Sequence, residues 1–138
     1  EVTETALLAD FESARANLTE LREAGATIVL DDFGAGFASI GYLRELRFDQ
    51  IKLDGGLVTA AQYSADGKRL LRAVVGLCEI LGVATVAEHV ESAETLKLVT
   101  DLGCHFGQGF WLMPPLAPDS LCEFTRAGLA RRQERRAA

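Results

Sequence analysis

Residues 28–36 read IVLDDFGAG, and they carry the strongest signal of how this chain folds. The three consecutive apolar residues 28–30 predict a β-strand buried on both faces, as in a parallel sheet covered by helices. The strand ends in two adjacent carboxylates, Asp31 and Asp32, followed by an aromatic residue and two glycines. Because like charges repel, this pair costs stability unless another charge offsets it.

The same alternation of β-rich runs and helical patterns continues along the chain. Val2 and Thr3 are predicted to end an early strand, and four further strands are predicted over residues 26–32, 48–56, 82–90 and 107–114. Helices are predicted between them, over 7–24, after Ser39, over 66–81, after the N-cap Ser92 and from Pro118. Repeated β-α units leave a doubly wound sheet or a (β/α) barrel.

Charged or amide side chains lie at or near the ends of the predicted strands. In a barrel the carboxyl ends of all strands converge on one face, where reactive side chains sit. This pattern therefore favours the barrel. The residues are Glu4, Asp31, Asp32, Lys52, Asp54, Glu88 and Gln108.

The length of the chain limits how much of a barrel it can form. A complete (β/α)8 barrel takes about 250 residues, whereas this chain has 138. The predicted fold is α/β, with about five β/α units of a TIM-like (β/α)8 barrel. Because such a portion exposes a strand edge, either an N-terminal part precedes it or two chains complete each other as a homodimer.

Composition excludes several classes of protein. A net charge of −6 and a pI near 4.9 argue against a binder of nucleic-acid polymers or membrane surfaces. Three widely spaced cysteines indicate reduced thiols and no disulfide framework. The sequence shows neither a membrane-length apolar run nor a signal peptide, so a cytoplasmic location is expected.

Clustered carboxylates in a protein either bind a hard metal ion or carry out acid–base chemistry. Ligand sets made only of oxygen suit Mg²⁺, Mn²⁺ or Ca²⁺. Two such ions about 4 Å apart can clamp the attacking and leaving oxygens of a phosphoester. Lys52 adds a cation able to hold a phosphate oxygen or the attacking water. The simpler alternative is a set of solvated or salt-bridged strand ends.

Four motifs, in order, resemble the EAL-domain cyclic-di-GMP phosphodiesterases. They are VTET (2–5), the long segment DDFGAGFASIGYLRELRFDQIKLD (31–54), VAEHVE (86–91) and GCHFGQGF (103–110). Together they cover almost the whole chain. The resemblance implies that residues 1–138 are the C-terminal portion of a single EAL-type barrel domain.

The resemblance also implies a metal ligand set. Glu4 is expected to bind a first ion and Asp31 to bridge two ions. Asp32 and Glu88 are expected to bind the second ion and to belong, with Lys52, to the catalytic group. The implied cofactors are two Mg²⁺ or Mn²⁺ ions.

The implied reaction opens one phosphodiester bond of cyclic di-GMP to give linear pGpG, in bacterial second-messenger signalling. Lys52 and Gln108 are expected to contact this substrate, and Glu91 is expected to act through neighbouring residues. Proteins of this family often carry sensory or diguanylate-cyclase domains upstream, which are the implied covalent partners.

The chain departs from the family pattern in three respects. The Glu-Ala-Leu motif and a ligand asparagine are expected upstream of Glu1, which leaves open whether this chain alone is active. His89 stands where the family usually has glycine, and Ala35, Phe37 and Ala38 replace the usual Thr, Tyr and Ser. A catalytically impaired cyclic-di-GMP receptor and a purely structural half-barrel remain the alternatives.

Several other residues have simpler interpretations. Gly34 and Gly36 lack the third glycine of a dinucleotide fingerprint, because position 39 is serine. His89 and His105 are predicted to be polar residues near the mouth of the site or partnered residues. Phe110 and Trp111 are predicted to lie in the core or in the barrel wall, with stacking of one of them on a guanine face as the alternative.

Overall fold

A computed structural model describes residues 1–36 and 40–126 and contains a five-stranded parallel sheet. Each strand pairs with the next along the chain, in the order β1-β2-β3-β4-β5. This sequential parallel order confirms the barrel-type prediction, because a doubly wound sheet reverses its strand order at a switch point. The strands are β1 (Val2–Thr3), β2 (Val29–Phe33), β3 (Gln50–Leu53), β4 (Ala84–Ala87) and β5 (Phe106–Gly107).

Helices connect the strands in the order expected of a β/α barrel. Helices α1 (Glu4–Ala9) and α2 (Phe11–Glu23) follow β1, and α3 (Ile40–Glu45) follows β2. The later connections contain α4 (Gly55–Tyr63), α5 (Ala65–Leu81) and α6 (Ala93–Asp101). A further helical segment covers 118–126, the last described residues, as predicted from Pro118. Residues 37–39 and 127–138, including Phe37 and Ala38, lie outside the described residues.

The core forms between the sheet and these helices. Buried strand residues meet buried residues of α1, α4, α5 and α6 in one continuous apolar cluster. Removing the helices would expose these apolar strand residues to water at a large cost in hydrophobic free energy. The fully buried members include Leu7, Leu30, Ile51, Leu53, Val58, Leu71, Cys78, Ala87 and Val90.

The predicted first helix over 7–24 is wrong as a single element, because Asp10 divides it. Asp10 has an extended backbone, with φ −156° and ψ 90°. Its side chain accepts a hydrogen bond from the Ser13 amide at 3.1 Å, which starts α2 afresh. A carboxylate that caps a following helix therefore ends the preceding one.

Helix α4 is absent from the sequence-based prediction, which extends the second long strand to residue 56. Asp54 caps this helix by accepting a hydrogen bond from the Gly56 amide at 2.9 Å. The helix then buries Leu57, Val58 and Ala61. Asp54 is thus a structural residue at the strand end.

The apolar repeat Leu70, Val74, Leu77 and Leu81 predicts one buried face for α5, and the observed face is displaced by one position. Leu70 is 56% exposed, while the buried residues are Gly67, Leu71, Val75 and Cys78. A Cβ atom on Gly67 would lie 2.4 Å from the carbonyl oxygen of Ala60 in α4. The close contact between the two helices sets the rotation of α5, which a helical repeat alone does not determine.

The predicted strand over 107–114 is also too long, because β5 ends at Gly107. The amides of Leu112 and Met113 both donate to the carbonyl of Gly109, which forms a turn. Phe110 and Trp111 are 66% and 56% exposed, so of the two predicted places, core or barrel wall, the core of the described residues is excluded.

The predicted helix boundaries at Gly82 and Ser92 are confirmed. Gly82 ends α5 in the left-handed conformation, with φ 69°, and Ser92 caps α6 through the Thr95 amide. Cys78, Cys104 and Cys122 are free thiols. Within the described ranges, none of the helices has the length and apolar character needed to cross a membrane.

Candidate functional site

An irregularity at the end of β2 brings two neighbouring carboxylates to one site. Leu30 pairs with Ile51 and Phe33 pairs with Leu53, so β2 contains one residue more than β3 in this interval. Asp32 has φ 56°, a left-handed conformation that costs a residue with a side chain about 1–2 kcal/mol. Adjacent side chains of a regular strand point to opposite faces, and this bulge removes that restriction for Asp31 and Asp32.

Lys52 lies at the centre of the candidate site, on β3. Its Nζ atom lies 2.8 Å from Oδ1 of Asp31 and 2.8 Å from Oε1 of Glu88. Glu1 approaches the same nitrogen to 3.5 Å. Burial lowers the pKa of Lys52, but the hydrogen bonds and charges of Asp31 and Glu88 outweigh it and hold the pKa above its usual value. Lys52 is therefore a fixed cation and not a base.

Three carboxylates converge around this lysine. Asp31, Asp32 and Glu88 each present an oxygen, and these oxygens lie within 4.8 Å of one another. Burial raises the pKa of Asp31, but Lys52 and the Asp32 amide outweigh it, so the pKa lies below its usual value. Three carboxylates exceed the charge of one ammonium, and an oxygen-only donor set of this size fits a hard divalent cation.

Glu4 lies apart from these three acids, in the first turn of α1. It is 5% exposed, and neither of its carboxylate oxygens has a hydrogen-bond partner among the described residues. Burial raises the pKa of Glu4, and the nearby amides of Gly34 and Gly36 offset only part of that effect without reaching hydrogen-bond geometry. A buried, unpaired carboxylate is costly. Because a bound cation would offset this cost, the environment of Glu4 fits that of a metal ligand.

Gln108 and Glu91 lie beside Glu88, around a small cleft. The Gln108 backbone amide donates to the Ala87 carbonyl at 2.8 Å, and the Gln108 backbone carbonyl accepts from the Val90 amide at 3.0 Å. These backbone bonds place Gln108 directly after β5, at the end of the sheet that carries Glu88. The cleft has a volume of about 150 Å³, and its lining residues are Glu88, His89, Glu91, Gln108, Gly109 and Phe110.

His89 and Gly55 form a contact that sequence analysis missed. The ring packs so closely on α4 that a Cβ atom at Gly55 would lie 2.0 Å from the His89 Nδ1 atom. His89 has φ 53° and shares the left-handed conformation with Asp32. The glycine directly after Asp54 was the one signal of this contact in the sequence, because a residue without a side chain leaves room for a ring. The other histidine, His105, is partnered by Thr85 at 3.1 Å.

Comparison with known proteins identifies the family of the chain. Residues 1–115 match the family described as the EAL domain. A cyclic di-GMP phosphodiesterase of Shewanella oneidensis, PdeB, is 36% identical over 132 residues, which are 96% of this chain and 15% of the relative. The chain therefore spans a small part of that relative.

Solved structures show the same architecture. The PaMucR phosphodiesterase in complex with c-di-GMP superimposes with a TM-score of 0.81 at 33% identity, over 87% of this chain and 49% of that one. Klebsiella pneumoniae BlrP1, in a manganese and cyclic-di-GMP complex, gives a TM-score of 0.74 at 38% identity, over 79% of this chain and 28% of that one. The sheet described above is thus part of a TIM-type barrel, and the chain belongs to the EAL domain family.

Proposed function

We propose that this chain is part of a cyclic-di-GMP phosphodiesterase that hydrolyses one phosphodiester bond of cyclic di-GMP to linear pGpG. The observation that carries the proposal is the position of Lys52, 2.8 Å from both Asp31 and Glu88, with an oxygen of Asp32 within 4.8 Å of theirs. The relative from Shewanella is named as an enzyme of this activity, which supports the phosphodiesterase over the receptor alternative.

The acids are proposed to hold two divalent ions, Mg²⁺ or Mn²⁺. Asp31, Asp32 and Glu88 would supply oxygens for one of them, and Asp31 would also contribute to the other. Glu4 is assigned to that other ion because its buried oxygens lack a partner among the described residues. When bound, such ions polarise the phosphoryl group and make water a better nucleophile.

The protein side chains have their own tasks in hydrolysis. Lys52 keeps its proton, so its N–H groups can hold a phosphate oxygen or the attacking water and stabilise negative charge as it develops. Asp32 and Glu88 are the carboxylates proposed to take a proton from that water. Gln108 is proposed to contact the substrate, and Glu91 to act through neighbouring residues.

The surroundings of the site are part of the same proposal. Residues 1–138 form the C-terminal portion of one EAL-type barrel in a cytoplasmic protein, with sensory or cyclase domains upstream. From β5 onward, the chain exposes apolar side chains that the rest of a barrel, or a second copy, would cover. Those residues are Phe106, Trp111, Leu112, Leu116, Leu121 and Phe124.

The test uses the complete encoded protein, incubated with cyclic di-GMP and Mg²⁺ or Mn²⁺, with chromatographic detection of pGpG. Lys52→Ala is expected to lose at least about 100-fold in kcat, as expected for loss of a group that stabilises developing charge. Lys97→Ala is the matched control, because Lys97 is an exposed lysine paired with Asp101.

Each outcome has a defined meaning. Equal rates from wild type and Lys52→Ala would overturn the role of Lys52. Tight binding of cyclic di-GMP without product would favour the receptor, and neither binding nor product would overturn the proposed function.

A further inference from the structure

The cleft beside Glu88 is too small for a whole dinucleotide. Its volume is about 150 Å³, whereas sites for drug-sized ligands occupy roughly 300–1,000 Å³. It can therefore take one part of a larger ligand. Its walls combine two aromatic side chains, His89 and Phe110, with the polar side chains of Glu91 and Gln108.

These walls match the chemistry of a nucleobase. Aromatic side chains stack on the flat faces of bases, whatever their sequence context. A carboxylate accepts hydrogen bonds only, and an amide both donates and accepts. A guanine edge offers acceptors to an amide such as that of Gln108, and donors to a carboxylate in the cleft wall.

His89 occupies its place in this cleft against a conformational preference. Its φ of 53° lies in the region that glycine adopts freely and other residues rarely do. Non-glycine residues in such conformations concentrate at functional sites. The absence of a side chain at Gly55 provides the space for the ring, since a Cβ atom there would lie 2.0 Å from Nδ1.

We propose that His89 is a specificity-determining residue that contacts one guanine base of cyclic di-GMP in this cleft. The inference rests on the proposed function and adds a base-binding subsite to it. Gly55 is a positioning residue in this scheme, because it acts only by leaving room for the His89 ring.

The test measures kcat, KM and Tm of the complete encoded protein with cyclic di-GMP and Mn²⁺. His89→Gly is expected to raise KM at least about fivefold, the lower end of the effect of losing a base–aromatic stack. We expect kcat to change less than twofold, since His89 is not among the residues assigned to the catalytic group. The Tm should stay the same or rise, because glycine tolerates this backbone conformation.

Gly55→Ala provides a second route to the same result. The added methyl group must displace the ring, so this variant is also expected to raise KM. In the His89→Gly background the ring is absent, and Gly55→Ala should then leave KM unchanged. A contact with a base predicts that these KM ratios are the same at low and high salt, whereas a contact with phosphate predicts that they shrink at high salt.

His105→Gly is the matched control, because His105 is the second histidine and bonds to Thr85. It is expected to lower Tm with little change in KM. If wild type turns over cyclic di-GMP and His89→Gly has the same KM, the His89 inference is overturned while the proposed function stands. If wild type neither binds nor hydrolyses the dinucleotide, the proposed function itself fails.

Discussion

The ammonium nitrogen of Lys52 lies 2.8 Å from Oδ1 of Asp31, on the neighbouring strand of the sheet. Glu88, which follows the strand on the other side, lies equally close at 2.8 Å. Lys52 therefore balances part of the charge that a divalent cation would otherwise have to balance alone.

Replacing Lys52 should make the protein depend more strongly on metal. Without metal, Lys52→Met is expected to lower the free energy of unfolding by about 2 kcal/mol, the scale of a lost hydrogen bond to a charged group. Added Mn²⁺ should stabilise the variant more than wild type, because Asp31 and Glu88 have lost the ammonium that pairs with both of them. Denaturant unfolding with EDTA and with Mn²⁺ measures both effects. An identical gain from Mn²⁺ in the two proteins would contradict this view.

Glu4 should reveal a conflict between stability and metal binding. In metal-free protein Glu4→Gln is expected to raise the free energy of unfolding by about 1 kcal/mol, because a neutral amide is less costly to bury than an unpaired carboxylate. The same variant should lose the stabilisation that Mn²⁺ gives. Glu12→Gln is the control, since Glu12 lies exposed in a surface pair with Arg15. A loss of metal-free stability in Glu4→Gln would count against the unpaired state of this carboxylate.

Gly109 should not tolerate a side chain. A Cβ atom there would lie 2.3 Å from the carbonyl oxygen of Val90, whose backbone bonds hold Gln108 and Trp111. Gly109→Ala is expected to cost at least about 2 kcal/mol of stability, in the range of other overpacking substitutions. Gly76→Ala is a matched control, because Gly76 lies within α5 with nothing within 4 Å of the added methyl group. That control should stabilise the protein by about 0.5–1 kcal/mol.

Acid should destabilise the protein partly through Asp49. The Ile28 amide, 2.7 Å from its Oδ2 atom, is the main cause that lowers the pKa of Asp49, and Arg22 adds to it. Because the folded-state pKa is depressed, this stabilisation is complete above the unfolded pKa of about 3.9. It is lost as the pH falls through the lower folded value.

Asp49→Asn keeps an acceptor for Ile28 but removes the titration. The free energy of unfolding should then fall less steeply with pH below about 4 than in wild type. Urea unfolding across that range measures the slope. Parallel slopes would exclude Asp49 as a contributor to acid unfolding.

The three thiols should differ in reactivity. Burial raises the pKa of Cys78 to about 11, with a smaller contribution from Cys104, and the side chain is fully buried. Cys122 is exposed. Iodoacetamide at mild alkaline pH should label Cys122 first and leave Cys78 unmodified until urea unfolds the chain, because only an accessible thiolate reacts. Mass spectrometry of peptides from native protein checks this, and early labelling of Cys78 would contradict the packing of α5.

Local patterns predicted the parts of the fold that depend on neighbouring residues. The apolar run 28–30, the β-α alternation and the boundaries at Gly82 and Ser92 follow from burial, period and backbone preference. Convergence of Asp31, Lys52 and Glu88 could also be predicted, since parallel strands place their carboxyl ends together. Those three residues do meet, as their 2.8 Å contacts show.

Features that depend on distant contacts were not predicted. The rotation of α5 depends on Gly67 against the Ala60 backbone, and the end of β5 depends on turns around Gly109. Helical period and strand propensity contain no information on either contact.

The order of residues along the chain therefore determines which chemical groups reach the site: acids at the ends of β2 and β4, a lysine within β3 and an amide after β5. Tertiary structure alone determines how these groups are oriented, paired and buried. The bulge at Asp32 turns two neighbouring acids to one site, the sheet surrounds Lys52 with opposite charge, and burial leaves Glu4 without a described partner. Each depends on distances between strands and on exclusion of water, which exist only once the chain has folded.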